Sequence, residues 1–313
     1  MKDITKSGSR LAAAICGASI VFMLALMNSA NAATIMNLTK PCGLFILGDI
    51  EPGDDLSFHD AVITSIRFSG ITHCGSFTHV YVYSRGGDVR TAMKIGKQIR
   101  ELKVATEGPD TRTIIGNRTE RAAKCQLGIA KVAYDFSTNQ GDSRCICASA
   151  CFMIWAAGVQ REGDAILIHR PYFDPTEYKN LSAPQAEVAY QELVDESQHY
   201  LVAMGVSSSI ITHMFSVDSG HAEFLTDDEL KSMAMLPYFA ELLNAKCGPT
   251  STAQDEAYIH QCYKDIAANK RVVGNCEPPG YQQRSDDSAK CRGTAWSKII
   301  DDAAVQYVHD YGK

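Results

Sequence analysis

Short apolar segments alternate with segments of helical apolar spacing between residues 44 and 106, and turns rich in glycine or proline separate them. The predicted strands cover residues 44–50 and 78–83, with a shorter candidate at 104–106. The predicted helices cover residues 56–68 and 89–102. A repeated strand–turn–helix order favours a parallel sheet covered by helices, so the fold class expected is α/β.

The size and charge of the chain limit the kinds of protein it can be. Its 313 residues are enough for one sizeable domain with an extension, or for two small domains. The net charge is −6 and no basic block is present. Phosphate binding needs clustered lysine and arginine, so a nucleic-acid partner is not expected.

The N-terminus has the three parts of a secretory signal. Lys2, Lys6 and Arg10 precede an apolar run over residues 11–27, and an Ala-x-Ala site ends at Ala32. This pattern predicts a signal peptide over residues 1–32 that is cleaved after Ala32, and a mature protein that is periplasmic or secreted. The alternative is an uncleaved segment that anchors the chain in the inner membrane.

The cysteine count fits an exported protein. Eleven cysteines are present, and ten remain once Cys16 leaves with the signal peptide. An even number in an exported chain predicts disulfides, although the pairing cannot be read from the spacing. Residues 33–245 are expected to form the main domain. Residues 246–313 have few large apolar side chains and hold Cys247, Cys262, Cys276 and Cys291. They are predicted to be a disulfide-stapled extension that ends in a helix over residues 295–311.

Ser149 lies in the most unusual stretch of the chain. Ala148 and Ala150 flank it, cysteines crowd around it, and an apolar segment over residues 152–157 follows, closed by Gly158. Small neighbours allow a tight turn before a helix, although a buried strand remains the alternative for so short a run. A serine on such a turn is a candidate nucleophile, and the amide of Ala150 a candidate oxyanion donor. The alternative is an ordinary helix N-cap.

Two further sequence features, a glycine pair and a histidine, follow predicted strands on either side of this serine in the chain. Gly86 and Gly87 follow a predicted strand, where glycines let main-chain N–H groups turn toward a ligand, and Gly87 is a candidate second oxyanion donor. His169 follows the predicted strand 165–168 and is a candidate general base. The alternative for the glycine pair is a simple turn, and the alternative for His169 is a structural histidine. The order of the three signals favours an acyl-transfer site.

That order resembles the ClpP protease family of the ClpP/crotonase fold, and more closely its exported ClpP-like relatives. The matching segments are Ser-Arg-Gly-Gly-Asp-Val at 84–89, Cys-Ala-Ser-Ala-Cys at 147–151, Ala-Gly at 157–158, Ile-His-Arg-Pro at 168–171, and Phe-Leu-Thr at 224–226 followed by Glu229-Leu230. The resemblance covers roughly residues 44–236. It implies a core of repeated β-β-α units, a nucleophile at Ser149, a base at His169, and oxyanion donors at Gly87 and Ala150. Oligomers are common in this fold, so it also implies a homo-oligomer.

The chain departs from the family pattern in three places. Arg85 replaces the usual proline of the first motif, and residues 107–144 form an insertion that we expect to be tied down through Cys125. The acidic residue of the family falls here at Ala222. Asp218 and Glu223 are the nearby substitutes, and Asp218 is preferred because its shorter side chain lies in a Ser-Val-Asp-Ser-Gly loop. A histidine without a carboxylate loses its orientation and much of its catalytic power.

These observations lead to two main functional hypotheses. The first is an exported serine hydrolase, a ClpP-like peptidase acting on a peptide or protein, with no cofactor and no metal. The second is a catalytically inactive member of the fold that binds an envelope protein partner, and Ala222 favours it. An acyl-CoA enzyme of the crotonase type is a third, disfavoured because CoA thioesters are cytoplasmic. A zinc site at Cys145, Cys147, Cys151 and His169 is disfavoured too, because export promotes disulfides and the spacing is unlike common zinc patterns.

Overall fold

The structure is a computed structural model that describes residues 32–39, 42–68, 77–124, 145–172, 179–268, 270 and 275–312. The predicted signal peptide up to residue 31 lies outside these ranges, as do Cys125 and the second half of the predicted insertion. Within them the fold is mixed α/β, as the sequence predicted at this level.

The strands form two sheets in the described part of the chain. The larger has the order β1-β2-β3-β4-β6, in which β1 is antiparallel to β2 and the other neighbours are parallel. The smaller has the order β5-β7-β8, with β5 and β7 parallel and β8 antiparallel. The strands are β1 Thr34–Thr39, β2 Cys42–Leu47, β3 His79–Tyr83, β4 Ala105–Glu107, β5 Cys147–Ala148, β6 Arg161–Glu162, β7 Ile166–Ile168 and β8 Glu223–Phe224.

Helices cover the sheets and connect their strands. Those in the described residues are α1 Asp54–Phe68, α2 Val89–Leu102, α3 Arg118–Lys124, α4 Ala150–Trp155, α5 Ala183–Ala203, α6 Ser208–Ser216, α7 Asp227–Met233, α8 Pro237–Cys247, α9 Ala253–Ala267 and α10 Tyr281–Tyr311. The predicted helix 89–102 is confirmed at both ends, because Asp88 caps its first turn and accepts from Thr91 N at 2.7 Å.

The two sheets join at Ser84, directly after β3. Its main-chain N–H donates to Ile146 O at 3.1 Å, and its carbonyl accepts from Ala148 N at 2.9 Å. These bonds form an isolated parallel bridge between Ser84 and Cys147. The end of β3 and the end of β5 therefore lie side by side, although more than 60 residues separate them in the chain.

Helix α4 occupies the centre of the main core. Every residue from Ala150 to Trp155 is buried, which confirms the predicted helix and not the alternative strand. The helix ends at Trp155, before the predicted stop at Gly158. Gly158 has another role, because a Cβ there would lie 2.3 Å from Thr106 Oγ1. It allows the chain leaving α4 to approach β4 closely.

The half-buried Arg100 bonds the chain just after α4, and the buried Arg161 shares one of its carbonyl acceptors. Arg100 of α2 donates from Nε to Ala157 O at 2.8 Å, and its guanidinium also bonds Met204 O after α5. Arg161 of β6 donates to the same Met204 carbonyl at 2.5 Å and to Met233 O at the end of α7. Cations at helix C-termini interact favourably with the unpaired carbonyls and the helix dipole. Arg100 thus anchors the end of α4 that lies opposite to Ser149.

The C-terminal helix is longer and better packed than the sequence predicted. It begins at Tyr281 rather than residue 295, because Gly280 at φ 70° starts it and its first turns are too polar to show apolar spacing. Ile300 and Tyr307 are buried in the main core, and Trp296 Nε1 donates to Lys103 O at 2.9 Å. The predicted disulfides are confirmed as Cys247–Cys291 and Cys262–Cys276, which fasten the region from α8 to the start of α10.

Two glutamates on neighbouring strands make stability depend on pH. Glu107 of β4 is the register partner of Glu162 on β6. Burial, together with the charges of Glu162 and Asp110, raises the pKa of Glu107 from 4.5 to about 7. Since the folded state holds this proton more tightly than the unfolded chain, the contribution of Glu107 to stability is fully present below about pH 4.5 and is lost as pH rises through about 7.

We therefore expect Glu107→Gln to remove part of this pH dependence. Its melting temperature should exceed that of the wild type at pH 8, where the wild-type carboxyl is charged, and should differ little at pH 4.5. Thermal unfolding of the two proteins across this range checks the result. Glu187→Gln, on an exposed position of α5, is the control. An equal effect of both substitutions at pH 8 would contradict the expectation.

Candidate active site

Ser149 has the backbone of a strained strand-to-helix turn. Its φ of 57° and ψ of −123° place it between β5 and α4 in a conformation that costs a non-glycine residue about 1–3 kcal/mol. Lys103 is the other non-glycine residue with positive φ in the described ranges, but its ψ of 28° makes it an ordinary left-handed helix cap. A sharp turn of this kind, with serine at its apex, is how a nucleophilic serine is exposed at the end of a strand.

The alternative role of Ser149, an ordinary helix cap, is not what the structure has. The residue does occupy the N-cap position of α4, but its side chain makes no capping hydrogen bond. Capping stabilises a helix by about 1 kcal/mol through that bond, from a residue in the extended region. Ser149 has the strain without the bond, and its side chain is half-buried rather than enclosed. The hydroxyl therefore does not stabilise α4 as a cap.

The glycine turn after β3 lies directly against Ser149. A Cβ built on Gly86 would lie 2.5 Å from Ser149 Cβ and 3.0 Å from Ser149 Oγ, and the φ of Gly86 is 119°. Both the contact and the backbone conformation require glycine here. The structure thus brings together the glycine turn and the serine turn that the sequence singled out separately.

The residues on both sides of Gly87 are hydrogen-bonded, while its own amide has no acceptor in the part of the chain that the structure describes. Ile50 N donates to Gly86 O and Asp88 N donates to Ile50 O, each at 2.7 Å. A Cβ on Gly87 would lie 2.1 Å from Ile50 O. Within the described residues, neither Gly87 N–H nor Ala150 N–H donates to a protein acceptor. Two main-chain donors beside a serine are the composition of an oxyanion hole.

His169 leaves the same sheet edge as Ser149. Strands β5 and β7 are parallel with Ala148 opposite Leu167, so Ser149 and His169 follow neighbouring strand ends. The Nδ1 atom of His169 lies 2.8 Å from Arg170 O. A carbonyl only accepts, so Nδ1 carries the proton and Nε2 keeps its lone pair in the neutral ring. That is the tautomer of a general base, although no hydrogen bond joins His169 to Ser149 in the described residues.

Asp218 contacts Arg170 rather than His169. Its carboxylate pairs with Arg170 Nη2 at 2.7 Å and accepts from Gly220 N at 2.8 Å. These two interactions lower the pKa of Asp218, the Gly220 hydrogen bond most and the Arg170 charge next. Arg170 N also donates to Val217 O at 3.1 Å. Asp218, the preferred third member of the triad, therefore contacts Arg170, the residue after His169.

Glu223, the other substitute, is bound elsewhere. Its carboxylate lies 3.2 Å from His213 Nε2, while His213 Nδ1 lies 2.8 Å from Glu229. Burial alone would lower the pKa of His213, but the hydrogen bonds to Glu229 and Glu223 outweigh it and raise the pKa. The group that holds His169 Nδ1 is instead the carbonyl of Arg170. The sequence could not reveal this acceptor, because every residue has a carbonyl and only the backbone conformation decides which one His169 contacts.

A disulfide encloses the serine turn. Cys147, the first residue of β5, and Cys151, in the first turn of α4, are bonded to each other and fully buried. Cys145 is disulfide-bonded as well. These bonds use the sulfur atoms that the zinc alternative required. The Cys147–Cys151 bond spans the strained residue symmetrically, with Ser149 at its midpoint.

We expect removal of the Cys147–Cys151 bond to lower activity more, and stability less, than removal of the Cys247–Cys291 bond. The chain-entropy model assigns ~2 kcal/mol to a loop as short as that of Cys147–Cys151 and ~4 kcal/mol to the Cys247–Cys291 loop. Replacing each pair with alanine should thus lower the melting temperature more for Cys247 and Cys291. Reactivity at Ser149 should fall more for Cys147 and Cys151. Equal reactivity in both double variants would show that the short disulfide does not support the serine turn.

Two surface cavities lie away from these residues. One, of about 790 Å³, lies between α2 and α5 and is lined by Arg90, Lys94, Glu192 and Tyr200 among others. Another, of about 740 Å³, lies beside β6 and α7 and is lined by Arg118, Arg121, Arg161 and Asp164 among others. Neither includes Ser149 or His169, so the candidate site and these cavities are separate features.

Comparisons with known proteins add no family to this picture. A scan against protein-family models found no match, and a search of curated proteins found no significant relative. Among the helices that the structure describes, none combines the length and the apolar character needed to cross a bilayer.

Proposed function

We propose that this chain is an exported serine hydrolase, a peptidase with a ClpP/crotonase-like core. The observation that carries the proposal is the backbone of Ser149, a strained non-glycine residue whose side chain makes no capping bond. Strain of this kind persists where the surrounding structure enforces it, and it concentrates at functional sites. The contact with Gly86 and the adjacent amides of Gly87 and Ala150 support the same chemistry.

The proposed reaction is hydrolysis through an acyl-enzyme. Ser149 Oγ bonds to the carbonyl carbon of a peptide while His169 Nε2 takes the hydroxyl proton. The carbonyl oxygen becomes negative, and the amides of Gly87 and Ala150 donate to it. His169 gives the proton to the leaving amine as the C–N bond breaks, and water then hydrolyses the ester with the same base. The chain needs no cofactor for these steps.

The cysteines support the proposal that the protein works outside the cytoplasm. Cys147–Cys151, Cys247–Cys291 and Cys262–Cys276 are disulfides, and such bonds persist in oxidising compartments. Together with the predicted signal peptide, they favour the periplasm or the medium. A peptide or protein is the proposed substrate, and a homo-oligomer is the proposed assembly, which light scattering of the purified protein would measure.

A second candidate is a non-catalytic member of the fold that binds an envelope protein. The specific observation in its favour is that no carboxylate bonds His169 among the residues the structure describes, since Asp218 pairs with Arg170 and residue 222 is alanine. Aspartate orients the histidine and stabilises its charged form in a triad. A carbonyl orients the ring but brings no full charge, so the hydrolase proposal predicts a slower enzyme than one with a complete triad.

A fluorophosphonate probe separates the two candidates. In the proposed reaction Ser149 Oγ bonds to phosphorus, the P–F bond breaks, and the proton passes to His169 as fluoride leaves. Peptide mapping should place the adduct on Ser149 in the native protein and find none after denaturation. A folded protein that stays unlabelled would reject the hydrolase and leave the binding protein as the better conclusion.

A further inference from the structure

We infer that Ser84 is a positioning residue that holds the oxyanion donor of Gly87 in register with Ser149, an inference that rests on the proposed hydrolase function. Ser84 follows β3 and precedes the glycine turn by two residues. It was not among the candidate site residues that the sequence suggested. Its side chain and its main chain each make a pair of contacts, and the two pairs connect different parts of the site.

The side chain of Ser84 closes the glycine turn. Its hydroxyl accepts from Gly86 N at 3.0 Å and donates to Gly86 O at 3.1 Å, and the residue is 4% exposed. One hydroxyl has one donor and two acceptor sites, so it satisfies both bonds at once. Gly86 O also accepts from Ile50 N at 2.7 Å. Both polar groups of the Gly86 main chain are therefore occupied, while the amide of Gly87 has no acceptor in the described residues.

The main chain of Ser84 holds the strand that carries the nucleophile. Its N–H and C=O bond Ile146 O and Ala148 N, at 3.1 and 2.9 Å, on either side of Cys147. Ala148 immediately precedes Ser149. One residue thus fixes the spacing between the turn that presents the donor and the turn that presents the nucleophile.

Loss of the hydroxyl should act on the transition state. Without it the Gly86 N–H, next to Ser149, would be buried without a partner, and the turn would relax to satisfy it. A small displacement of the Gly87 amide weakens a bond that forms only when the oxyanion develops. Ground-state binding of a ligand does not involve that bond, so binding should be unaffected. If the hydroxyl were only structural, its loss would lower stability without this combination of a slower reaction and unchanged binding.

The test measures the inactivation constants of the fluorophosphonate probe in four variants. Ser84→Ala should lower the maximal inactivation rate ~10- to 100-fold, with the probe's dissociation constant unchanged. Ser84→Thr, which keeps a hydroxyl, should recover most of that rate. Ser84→Cys, which is close in size but bonds weakly, should fall between them and serves if the alanine variant does not fold. Ser197→Ala is the matched control, because Ser197 is buried as well but its hydroxyl has no hydrogen-bond partner among the described residues.

The possible outcomes separate this inference from the proposed function. If the wild type labels at Ser149 and Ser84→Ala labels equally fast, Ser84 is not a positioning residue although the hydrolase stands. The same conclusion follows if Ser84→Thr is no better than alanine, or if Ser197→Ala shows the same rate loss. An unlabelled wild type would overturn the hydrolase proposal and this inference with it. A rate loss specific to Ser84→Ala, recovered by threonine, supports both.

Discussion

Replacing Ser149 with alanine is expected to abolish reaction with fluorophosphonate and hydrolysis of any substrate found for this protein, without loss of stability. His169→Ala should lower the rate by ~10³-fold or more, and the double variant should be little worse than Ser149→Ala, because residues that act as a unit are not additive. The measurement is labelling rate and melting temperature of each variant. Additive losses, or full labelling of Ser149→Ala, would contradict the assignment of the nucleophile and its base.

The strained backbone of Ser149 predicts that a second substitution raises stability while it removes activity. Ser149→Gly should raise the melting temperature while it removes activity, since glycine adopts φ 57° without the cost that serine bears. Gains in stability from a substitution at a strained site, at the expense of function, are typical of active sites. A glycine variant less stable than the alanine variant would show that Ser149 is not strained in the folded protein.

Gly87→Ala is expected to cause the largest loss of stability among single substitutions at this site. The new Cβ would lie 2.1 Å from the main-chain oxygen of Ile50, at a φ of 131° that alanine rarely adopts. Main chain cannot move aside as a flexible side chain does, so the turn and its bonds to Ile50 must open. We expect a loss above ~3 kcal/mol, from strain and overpacking together.

Gly53→Ala is the matched control for this experiment. Gly53 also has a positive φ, 101°, but a Cβ there meets nothing within 4 Å. Its substitution should cost the backbone strain alone, about 1–3 kcal/mol. Chemical denaturation of both variants gives the difference, which isolates the clash with Ile50. Equal losses would mean that the glycine turn is not held against Ile50 as the structure describes.

Local features of the site and of two helices could be predicted from neighbouring residues. The helix Val89–Leu102 was predicted at both ends from its apolar spacing, and the structure adds the cap at Asp88. The capping box of Thr226 and Glu229 starts the helix Asp227–Met233. Ala148 and Ala150 leave room for a tight turn at Ser149, and the structure has that turn. Propensity, capping and steric size all act over a few residues, so the sequence reports them directly.

Contacts between distant segments were decided by the tertiary structure alone. The pairing of Cys247 with Cys291 and of Cys262 with Cys276 depends on how α8, α9 and α10 pack, and spacing carries no information about it. Asp218 was chosen by its position in a loop, but the path of the chain places its carboxylate on Arg170. The early start of α10 was hidden because polar residues carry no apolar period.

The candidate site itself shows where this division lies. The sequence by itself determined the parts: a glycine turn after one strand, a serine between small residues before an apolar helix, and a histidine after the next strand. Only the tertiary structure decided that Ser84 bridges β3 to β5, which brings Gly86 against Ser149. Strand order is set by main-chain hydrogen bonds and by burial of whole faces, which no single segment encodes. The same packing gives Ser149 its strained backbone, because the bridge at Cys147 and the buried α4 fix the chain on both sides of it.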